Sequence, residues 1–283
     1  MNSAPEYTGP PPQLVANPIE KLEIYRCYMR SPYLSIKHSS YFQVYTELFE
    51  TYRGKPITFI EIGVQNGGSL FIWREFFGSK ARIIGIDLNP AAQKWKADGF
   101  EIFIGNQADP KFWHELFAKV GVVDAVLDDG GHTNEQQIVT ASQCIPHIAD
   151  GGILVVEDTH TSYQRDYGNP SRYSFIEWAK KQADTLHSRF PGIQTAYPLF
   201  RDSIYSVGFF ESIVCFRIDR TRCFESRPTS NGGESISAKD LGRVGTSAAE
   251  IGGFATQSAE RFPWLRRLPG LRSFKDAVIR NIA

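Results

Sequence analysis

Long apolar runs are missing from this chain of 283 residues, and so is a surplus of charge of either sign. No stretch approaches the roughly 18 apolar residues of a membrane-spanning helix, and the N-terminus has neither the basic nor the apolar region of a secretory signal. Lysine plus arginine equals aspartate plus glutamate at 31 each, whereas nucleic-acid binders generally carry a basic surplus. We expect a cytoplasmic protein with no transmembrane segment and no nucleic-acid partner.

Cysteine is scarce as well, with four residues in the whole chain. The four are scattered along the sequence, and none belongs to a C-x-x-C pair: Cys27, Cys144, Cys215 and Cys223. Zinc ribbons need such pairs, and small disulfide-stapled domains need a denser set of cysteines. The composition therefore excludes both classes and predicts reduced thiols.

A regular alternation of β-rich and helical patterns is present instead. Strands are predicted at 57–62, 82–87, 101–104, 123–127 and 153–156, and helices at 41–52, 69–77, 110–117, 134–148 and 171–188. Strands that alternate with helices of this length form parallel, doubly wound sheets. The last two β-rich runs, 203–210 and 213–218, are joined by only two residues, so they must pair as an antiparallel hairpin. The predicted fold is α/β, a doubly wound, Rossmann-like sheet of seven strands, mostly parallel, with a C-terminal antiparallel hairpin.

The predicted domain organisation has four parts. Residues 1–38 form a proline-rich lead-in and N-terminal segment, and residues 39–225 form the folded domain. Residues 226–260 are rich in serine and glycine, as linkers are. Residues 261–283 are basic and amphipathic, which indicates either a helix that caps its own core or a symmetry mate, or a membrane-surface or partner-binding helix.

A cofactor-binding turn is predicted after the first strand, where Gly63 and Gly67 precede a helix. Glycines at such a strand-to-helix turn let a ligand approach the backbone. The dinucleotide fingerprint G-x-G-x-x-G lacks its second glycine here, because Gln65 replaces it, and this disfavours NAD. The second strand ends at Asp87, where a carboxylate can accept hydrogen bonds from both ribose hydroxyls of a nucleoside. The alternative is that these residues are ordinary turn glycines and a helix-capping aspartate.

Acidic pairs follow the fourth and fifth predicted strands, Asp128 with Asp129 and Glu157 with Asp158. Because neighbouring parallel strands end at one edge about 4.8 Å apart, four carboxylates are expected to crowd one small volume. Like charges at this distance raise the pKa values of the carboxyl groups or demand a cation, and a set of oxygen ligands with no nearby cysteine suits a hard ion such as Mg²⁺. The alternative is that Asp129 and Asp158 cap the elements that follow them.

A general base is predicted on the same glycine-rich turn. His132 follows Asp129 by three residues, so its imidazole can reach the same site and accept a proton near neutral pH. His160 is a second, weaker candidate for this role.

The motifs resemble those of a known family. The Glu61-x-Gly-x-x-x-Gly turn, the acid that ends the second strand and the terminal hairpin resemble class I S-adenosylmethionine-dependent methyltransferases. The runs Asp-Asp-Gly-Gly-His at 128–132 and Glu-Asp-Thr-His-Thr-Ser-Tyr at 157–163 are similar to those of the Mg²⁺-dependent sugar O-methyltransferases of macrolide biosynthesis. The resemblance covers roughly residues 41–219 and departs from the family pattern at Gly131, where a serine is expected.

The resemblance implies a role for each matching residue, with S-adenosyl-L-methionine as cosubstrate and Mg²⁺ as cofactor. His132 is the implied catalytic base, and Tyr163 is expected to contact the substrate. The implied metal ligands are Asp129, Glu157 and Asp158. The implied cofactor-binding residues are Glu61, Gly63, Asn66, Gly67, Asp87, Asn106, Gln107 and Asp128.

The implied activity is metal-dependent transfer of a methyl group from S-adenosylmethionine to a hydroxyl of a (deoxy)sugar, on a glycosylated natural product or a glycan with vicinal hydroxyls. Two alternatives from other classes stay open. One is a nicotinamide-dependent oxidoreductase, which Gln65 opposes, and the other is a non-catalytic glycan-binding or assembly protein with the same fold. The identity of the sugar and the presence of a homo-oligomer also stay open.

Overall fold

The computed structural model describes residues 19–168, 173–195 and 198–234. The chain divides into two compact units, Met1–Arg227 and Pro228–Ala283, and only residues 228–234 of the second unit are described. The proline-rich start at 1–18, most of the predicted linker and the basic segment at 261–283 lie outside the described residues. Within the described ranges, no helix is both long enough and apolar enough to cross a membrane.

A seven-stranded sheet forms the centre of the first unit. Its strands are β1 (Thr58–Ile62), β2 (Arg82–Asp87), β3 (Glu101–Ile104), β4 (Val123–Asp128), β5 (Ile148–Val156), β6 (Ile204–Phe210) and β7 (Ile213–Ile218). They lie in the order β3-β2-β1-β4-β5-β7-β6. The first five strands pair in parallel, whereas β7 pairs antiparallel with both β5 and β6. The predicted fold class is confirmed, and the strand order reverses between β1 and β4, where open α/β sheets bind ligands.

Six α-helices accompany the sheet in the described residues. They are α1 (Glu23–Arg30), α2 (Tyr41–Phe49), α3 (Gly68–Phe77), α4 (Pro110–Val120), α5 (Asn134–Cys144) and α6 (Phe175–His187). Local sequence explains where α4 begins and ends. The Asp109 side chain accepts the Lys111 N–H, Pro110 occupies the first turn, and Gly121 with φ +78° follows the last residue.

Both faces of the sheet are covered, as a parallel sheet requires. Alternate residues of β1 point to opposite faces, so Phe59 joins one buried cluster and Ile60 the other. Trp73 of α3 packs against Phe59 with a ring-centre distance of 5.2 Å, and Trp113 of α4 belongs to the cluster with Ile60. Two separate hydrophobic layers therefore hold the sheet rigid and present its carboxyl ends as a fixed platform.

The structure differs from the sequence prediction in several elements. Strand β5 begins at Ile148 rather than at 153, and α6 begins at Phe175, inside the helix predicted over 171–188. Helix α1 was not predicted, although Ile24 and Cys27 of this helix are almost fully buried. A 3-10 helix at Pro90–Asp98 was not predicted either. The helix predicted over 134–148 is too long, because Pro146 lies in a 3-10 turn after Cys144 and β5 begins at Ile148.

Candidate active site

A cavity of about 210 Å³ opens at the carboxyl ends of β1, β2 and β4. Four of the predicted cofactor-binding residues line it: Gly63, Asp87, Asn106 and Gln107. Gly130 and Gly131 line the same cavity from the turn that follows β4. The structure therefore brings half of the predicted cofactor residues together around one opening, at the switch point of the sheet.

The glycine turn after β1 is shaped by contacts within the protein. Gly63 has φ +90°, and a Cβ there would lie 2.0 Å from the Asp129 carbonyl oxygen. Gly67 has φ +78°, and its Cβ would lie 2.2 Å from the Trp95 ring. No side chain fits at either position, so these glycines are needed for the turn itself.

Asp87 is held in place by the backbone of two loops. Its Oδ2 accepts the Gln65 N–H and its Oδ1 accepts the Asn89 N–H, each at 2.8 Å. The following 3-10 helix is capped by Asn89, whose side chain accepts the Ala91 N–H. Asp87 is thus not the cap of that helix, and each of its oxygens keeps a lone pair for a ligand in the cavity.

Gln107 connects the cavity to the turn after β4. Its Nε2 donates to Asp128 Oδ1 at 2.9 Å and its Oε1 accepts the Gly131 N–H at 2.8 Å. Burial raises the pKa of Asp128 to about 7. The Oδ2 of Asp128 is buried with no hydrogen-bond partner among the described residues, which favours the protonated acid or a ligand contact at that oxygen.

The other predicted cofactor residues do not line the cavity. Glu61 is fully buried and accepts hydrogen bonds from Ser69 Oγ at 2.9 Å and from Trp73 Nε1 at 3.2 Å. Burial raises the pKa of Glu61 to about 7. Asn66 is exposed, and Gly67 is buried. Cofactor contacts of Glu61, Asn66, Gly67 and Asp128 stay predictions.

The carboxylate cluster, which we define as Asp129, Glu157 and Asp158, lies at the ends of β4 and β5. Ligand atoms of Asp129, His132 and Asp158 all lie within 4.8 Å of one another, and His132 Nε2 is 3.4 Å from Asp158 Oδ2. His132 and Asp158 both adopt left-handed backbone conformations, with φ of 60° and 54°. Such conformations are uncommon for residues with side chains and cluster at functional sites.

Lys37 is the feature of this site that the sequence analysis missed. Its Nζ lies 2.5 Å from Asp129 Oδ2 and 2.9 Å from Glu157 Oε2, and its side chain is only 4% exposed. Although burial opposes it, the two carboxylates raise the pKa of Lys37 well above its usual value. Lys37 lies between α1 and α2 without regular secondary structure, so no local pattern marks it.

Two tyrosines of α2 each bind one further oxygen of the carboxylate cluster. The Tyr45 hydroxyl donates to Glu157, and the Tyr41 hydroxyl donates to Asp158 and lies 2.8 Å from Ser212 Oγ. Residues four apart share one face of a helix, and this spacing is the one signal that could have identified the pair. The predicted alternative base, His160, has its Nδ1 2.5 Å from Ser212 Oγ.

Tyr163, the predicted substrate residue, ends a 3-10 helix at Thr159–Tyr163 and is 64% exposed. Its exposure leaves the phenol accessible to a bound acceptor. Contact with substrate stays a prediction.

The carboxylate oxygens of this site are suitable ligands for a hard divalent ion. Asp129 and Asp158 belong both to the predicted ligands and to the group whose ligand atoms converge, and carboxylate oxygens are what Mg²⁺ prefers. Glu157 is outside that group, and its two oxygens contact Lys37 and Tyr45. The metal-ligand roles of Asp129, Glu157 and Asp158 stay predictions, as does the role of His132 as base.

Comparisons with known proteins agree with this geometry. Residues 60–159 match a family model described as a methyltransferase domain. A rhamnosyl tetracenomycin-C 2'-O-methyltransferase from Streptomyces olivaceus is 29% identical and aligns with 54% of this chain and 45% of its own length. Mycinamicin VI 2''-O-methyltransferase from Micromonospora griseorubida is 32% identical over 50% of this chain and 40% of its own. The chain thus spans less than half the length of these curated relatives.

A solved structure shows the same fold. MycE, a methyltransferase from the mycinamycin biosynthetic pathway in complex with Mg and SAH, superposes with a TM-score of 0.60 at 23% identity, over 70% of this chain and 53% of that one. The fold and the family match confirm the resemblance to class I methyltransferases.

Proposed function

We propose that this chain, whose residues 60–159 match a methyltransferase domain, transfers the methyl group of S-adenosylmethionine to a sugar hydroxyl with the help of a divalent metal ion. One observation carries the proposal. The turn at 128–132 borders both parts of the site, because Gly130 and Gly131 line the cavity while Asp129 and His132 converge with Asp158. A donor in the cavity and an acceptor at the carboxylate cluster would therefore meet across a single turn.

The cavity is the proposed donor site. Asp87 would accept hydrogen bonds from the ribose hydroxyls with the oxygens that the Gln65 and Asn89 amides already orient. Gln107 is fixed by Asp128, Thr140 and the Gly131 amide. This rigid wall places the ligand without a rearrangement, which lowers the entropic cost of binding.

The cluster is the proposed acceptor site. When bound, Mg²⁺ would hold vicinal hydroxyls and lower the pKa of the one that reacts. Asp129, Glu157 and Asp158 would bind the ion, and His132 Nε2 would accept the hydroxyl proton. The oxygen would attack the methyl carbon in line with the sulfonium, and the methyl–sulfur bond would break to release S-adenosylhomocysteine. Asp158 Oδ2, 3.4 Å from that nitrogen, would stabilise the imidazolium. A general base of this kind contributes about 10²–10⁴-fold.

The substrate class is proposed from the relatives. According to their names, the relatives reported above methylate the 2' oxygen of a rhamnosyl tetracenomycin-C compound and the 2'' oxygen of mycinamicin VI. We extend to this chain an acceptor sugar with vicinal hydroxyls and a contact with the exposed Tyr163. A nicotinamide-dependent oxidoreductase is not supported, since residues 60–159 match a methyltransferase domain and Gln65 stands at the second glycine position.

Methyl transfer with and without metal tests the proposal. Purified protein would be incubated with S-adenosylmethionine labelled in the methyl group and a panel of rhamnosides and deoxysugar glycosides, each beside an analogue that lacks one vicinal hydroxyl. We expect transfer to the intact diols, loss of transfer in EDTA and its recovery with Mg²⁺ or Mn²⁺. His132→Ala should lose turnover and keep its affinity for S-adenosylhomocysteine. Full activity of metal-free protein in excess EDTA would contradict the metal-dependent mechanism.

A further inference from the structure

A buried ammonium sits among the carboxylates that are predicted to bind metal. Lys37 Nζ contacts Asp129 Oδ2 at 2.5 Å and Glu157 Oε2 at 2.9 Å, with its side chain 4% exposed. Within the described ranges, no other lysine or arginine forms an ion pair with Asp129, Glu157 or Asp158. Lys37 is therefore the resident counter-ion of the carboxylate cluster.

We infer that Lys37 and the divalent ion compete for Asp129 and Glu157, so that metal binding displaces the Lys37 side chain from the carboxylate cluster. The inference rests on the metal site in the proposed function. An ion bound by the same two carboxylates would lie next to the ammonium, since Mg²⁺ takes its ligands at about 2.0–2.1 Å. Two cations this close in a site shielded from water repel strongly, and the divalent one gains more from the carboxylates.

The chain around Lys37 is built to allow such an exchange. The chain before Lys37 is fixed by two contacts. The Ser31 hydroxyl donates to the Gly68 carbonyl at 2.8 Å, and the Tyr33 ring packs against Trp95 with a ring-centre distance of 4.6 Å. The chain after Lys37 continues into α2, whose buried residues belong to the hydrophobic core. Between these anchors the backbone has no helix or strand, and Ile36 beside Lys37 is 82% exposed. The long lysine side chain can therefore move to solvent without disturbing the sheet.

The metal ligands predicted from the sequence include Glu157, whereas the ligand atoms that converge in the structure include His132 instead. Displacement of Lys37 would reconcile these two sets. Loss of the ammonium frees Glu157 Oε2, so the acids predicted from sequence, Asp129, Glu157 and Asp158, become available together. His132 then need not serve as a ligand, and its Nε2 stays free to accept a proton. Lys37 is in this account a positioning residue. Its ammonium offsets the repulsion between the carboxylates of Asp129 and Glu157 until the ion binds.

Amine labelling of the unaltered protein gives a direct test. The protein would be treated with a limiting acylating reagent in EDTA and in saturating Mg²⁺, and the labelling rate of each lysine would be followed by peptide mass spectrometry. We expect the rate at Lys37 to rise at least fivefold with Mg²⁺. Lys55, exposed at the opposite edge of the sheet before β1, should not change. Equal protection of Lys37 with and without bound Mg²⁺ would overturn the inference.

Manganese affinity of a variant gives the second test and separates the two proposals. Lys37→Met should bind Mn²⁺ at least tenfold more tightly than the parent protein by electron paramagnetic resonance titration, whereas Lys55→Met should not differ. Equal Mn²⁺ affinity of Lys37→Met and parent would overturn the competition and leave the metal site in place. Absence of Mn²⁺ binding in both would overturn the competition together with the proposed metal dependence, and binding by Lys37→Met alone would support the competition.

A charge-balanced variant covers the case in which Lys37→Met does not fold, because that change leaves the buried Glu157 and the partly exposed Asp129 without an ammonium. The double variant K37M/E157Q removes one charge of each sign. Its Mn²⁺ affinity should exceed that of E157Q alone by at least tenfold, since E157Q keeps the ammonium on Asp129. An equal affinity of these two proteins would overturn the inference.

Discussion

The two halves of the sheet's carboxyl edge are built in different ways. On the side of β1 and β2, backbone turns form a cavity, and Asp87 is oriented by the amides of Gln65 and Asn89. On the side of β4 and β5, charged side chains form the site, and their partners Lys37 and Tyr45 come from residues far earlier in the chain. The first half uses backbone N–H donors to hold one acid, whereas the second uses one buried ammonium and two tyrosine hydroxyls to hold three. This difference fits the proposed roles. The first half would bind the nucleoside of the methyl donor, and the second would exchange the Lys37 ammonium for the metal ion.

Asp129→Asn should have the largest effect and should separate the halves most clearly. Loss of one carboxylate charge weakens the metal site but leaves the cavity side of the turn in place, because the contact with Gly63 is made by the backbone of Asp129. We expect methyl transfer to fall by at least about 100-fold, with affinity for S-adenosylhomocysteine within about threefold. The control is Asp109→Asn, since asparagine also serves as a helix N-cap. A tenfold loss of donor affinity in Asp129→Asn would show that the halves are not separate.

Glu61→Gln should alter the pH dependence of stability. The pKa of Glu61 is raised from 4.5 to about 7 in the folded protein, so the protonated acid stabilises the fold fully below about pH 4.5 and this contribution is lost as the pH rises through 7. A shift of this size corresponds to about 3 kcal/mol. Glutamine stays neutral, so the variant should gain about that much in unfolding free energy relative to the parent between pH 5 and pH 8.

Urea unfolding at the two pH values measures this effect. Glu135→Gln, on the exposed start of α5, is the matched control and should show no such gain. An identical stability difference between Glu61→Gln and parent at both pH values would mean that Glu61 is ionised throughout. The same variant, titrated with S-adenosylhomocysteine, also tests the predicted cofactor contact of Glu61.

Asp87→Ala should weaken donor binding and spare the metal site. A carboxylate that accepts hydrogen bonds from ribose hydroxyls contributes about 1.5–3 kcal/mol for each, so the dissociation constant for S-adenosylhomocysteine should rise by at least tenfold. Calorimetry measures this constant, and Mn²⁺ affinity is expected to stay unchanged. An unaltered donor affinity would restrict Asp87 to its contacts with the two backbone amides.

Tyr41→Phe should have the smallest effect. The change removes the hydroxyl that donates to Asp158, and residues that orient metal ligands typically contribute about 10–100-fold in affinity. Because Asp158 is partly exposed to water, we expect a loss of Mn²⁺ affinity at or below the lower end of that range. Tyr52→Phe, which loses a hydroxyl contact to the Gly151 carbonyl instead, is the control. Equal losses in the two variants would assign Tyr41 to stability alone.

The sequence predicts the residues at the strand ends of both halves, but not the partners that come from distant parts of the chain. Strands, glycine turns and the Asp128–His132 run are local patterns, and the parallel sheet then brings their ends together. Lys37 is 92 residues from Asp129 and 120 from Glu157 along the chain, so only the packing of α2 and its preceding segment reveals the contact. Helix α1 was not predicted for a different reason, because only two of its residues, Ile24 and Cys27, are buried.

A crystal structure with Mn²⁺ and S-adenosylhomocysteine tests the division of the site most directly, through the anomalous signal of the metal. The account predicts a single manganese peak within coordination distance of Asp129, Glu157 and Asp158, and the nucleoside in the cavity beside Asp87. It also predicts that Lys37 Nζ is withdrawn from Asp129 and Glu157. A nucleoside in the cavity with no manganese peak at these carboxylates, at a concentration that saturates the protein in solution, would contradict it.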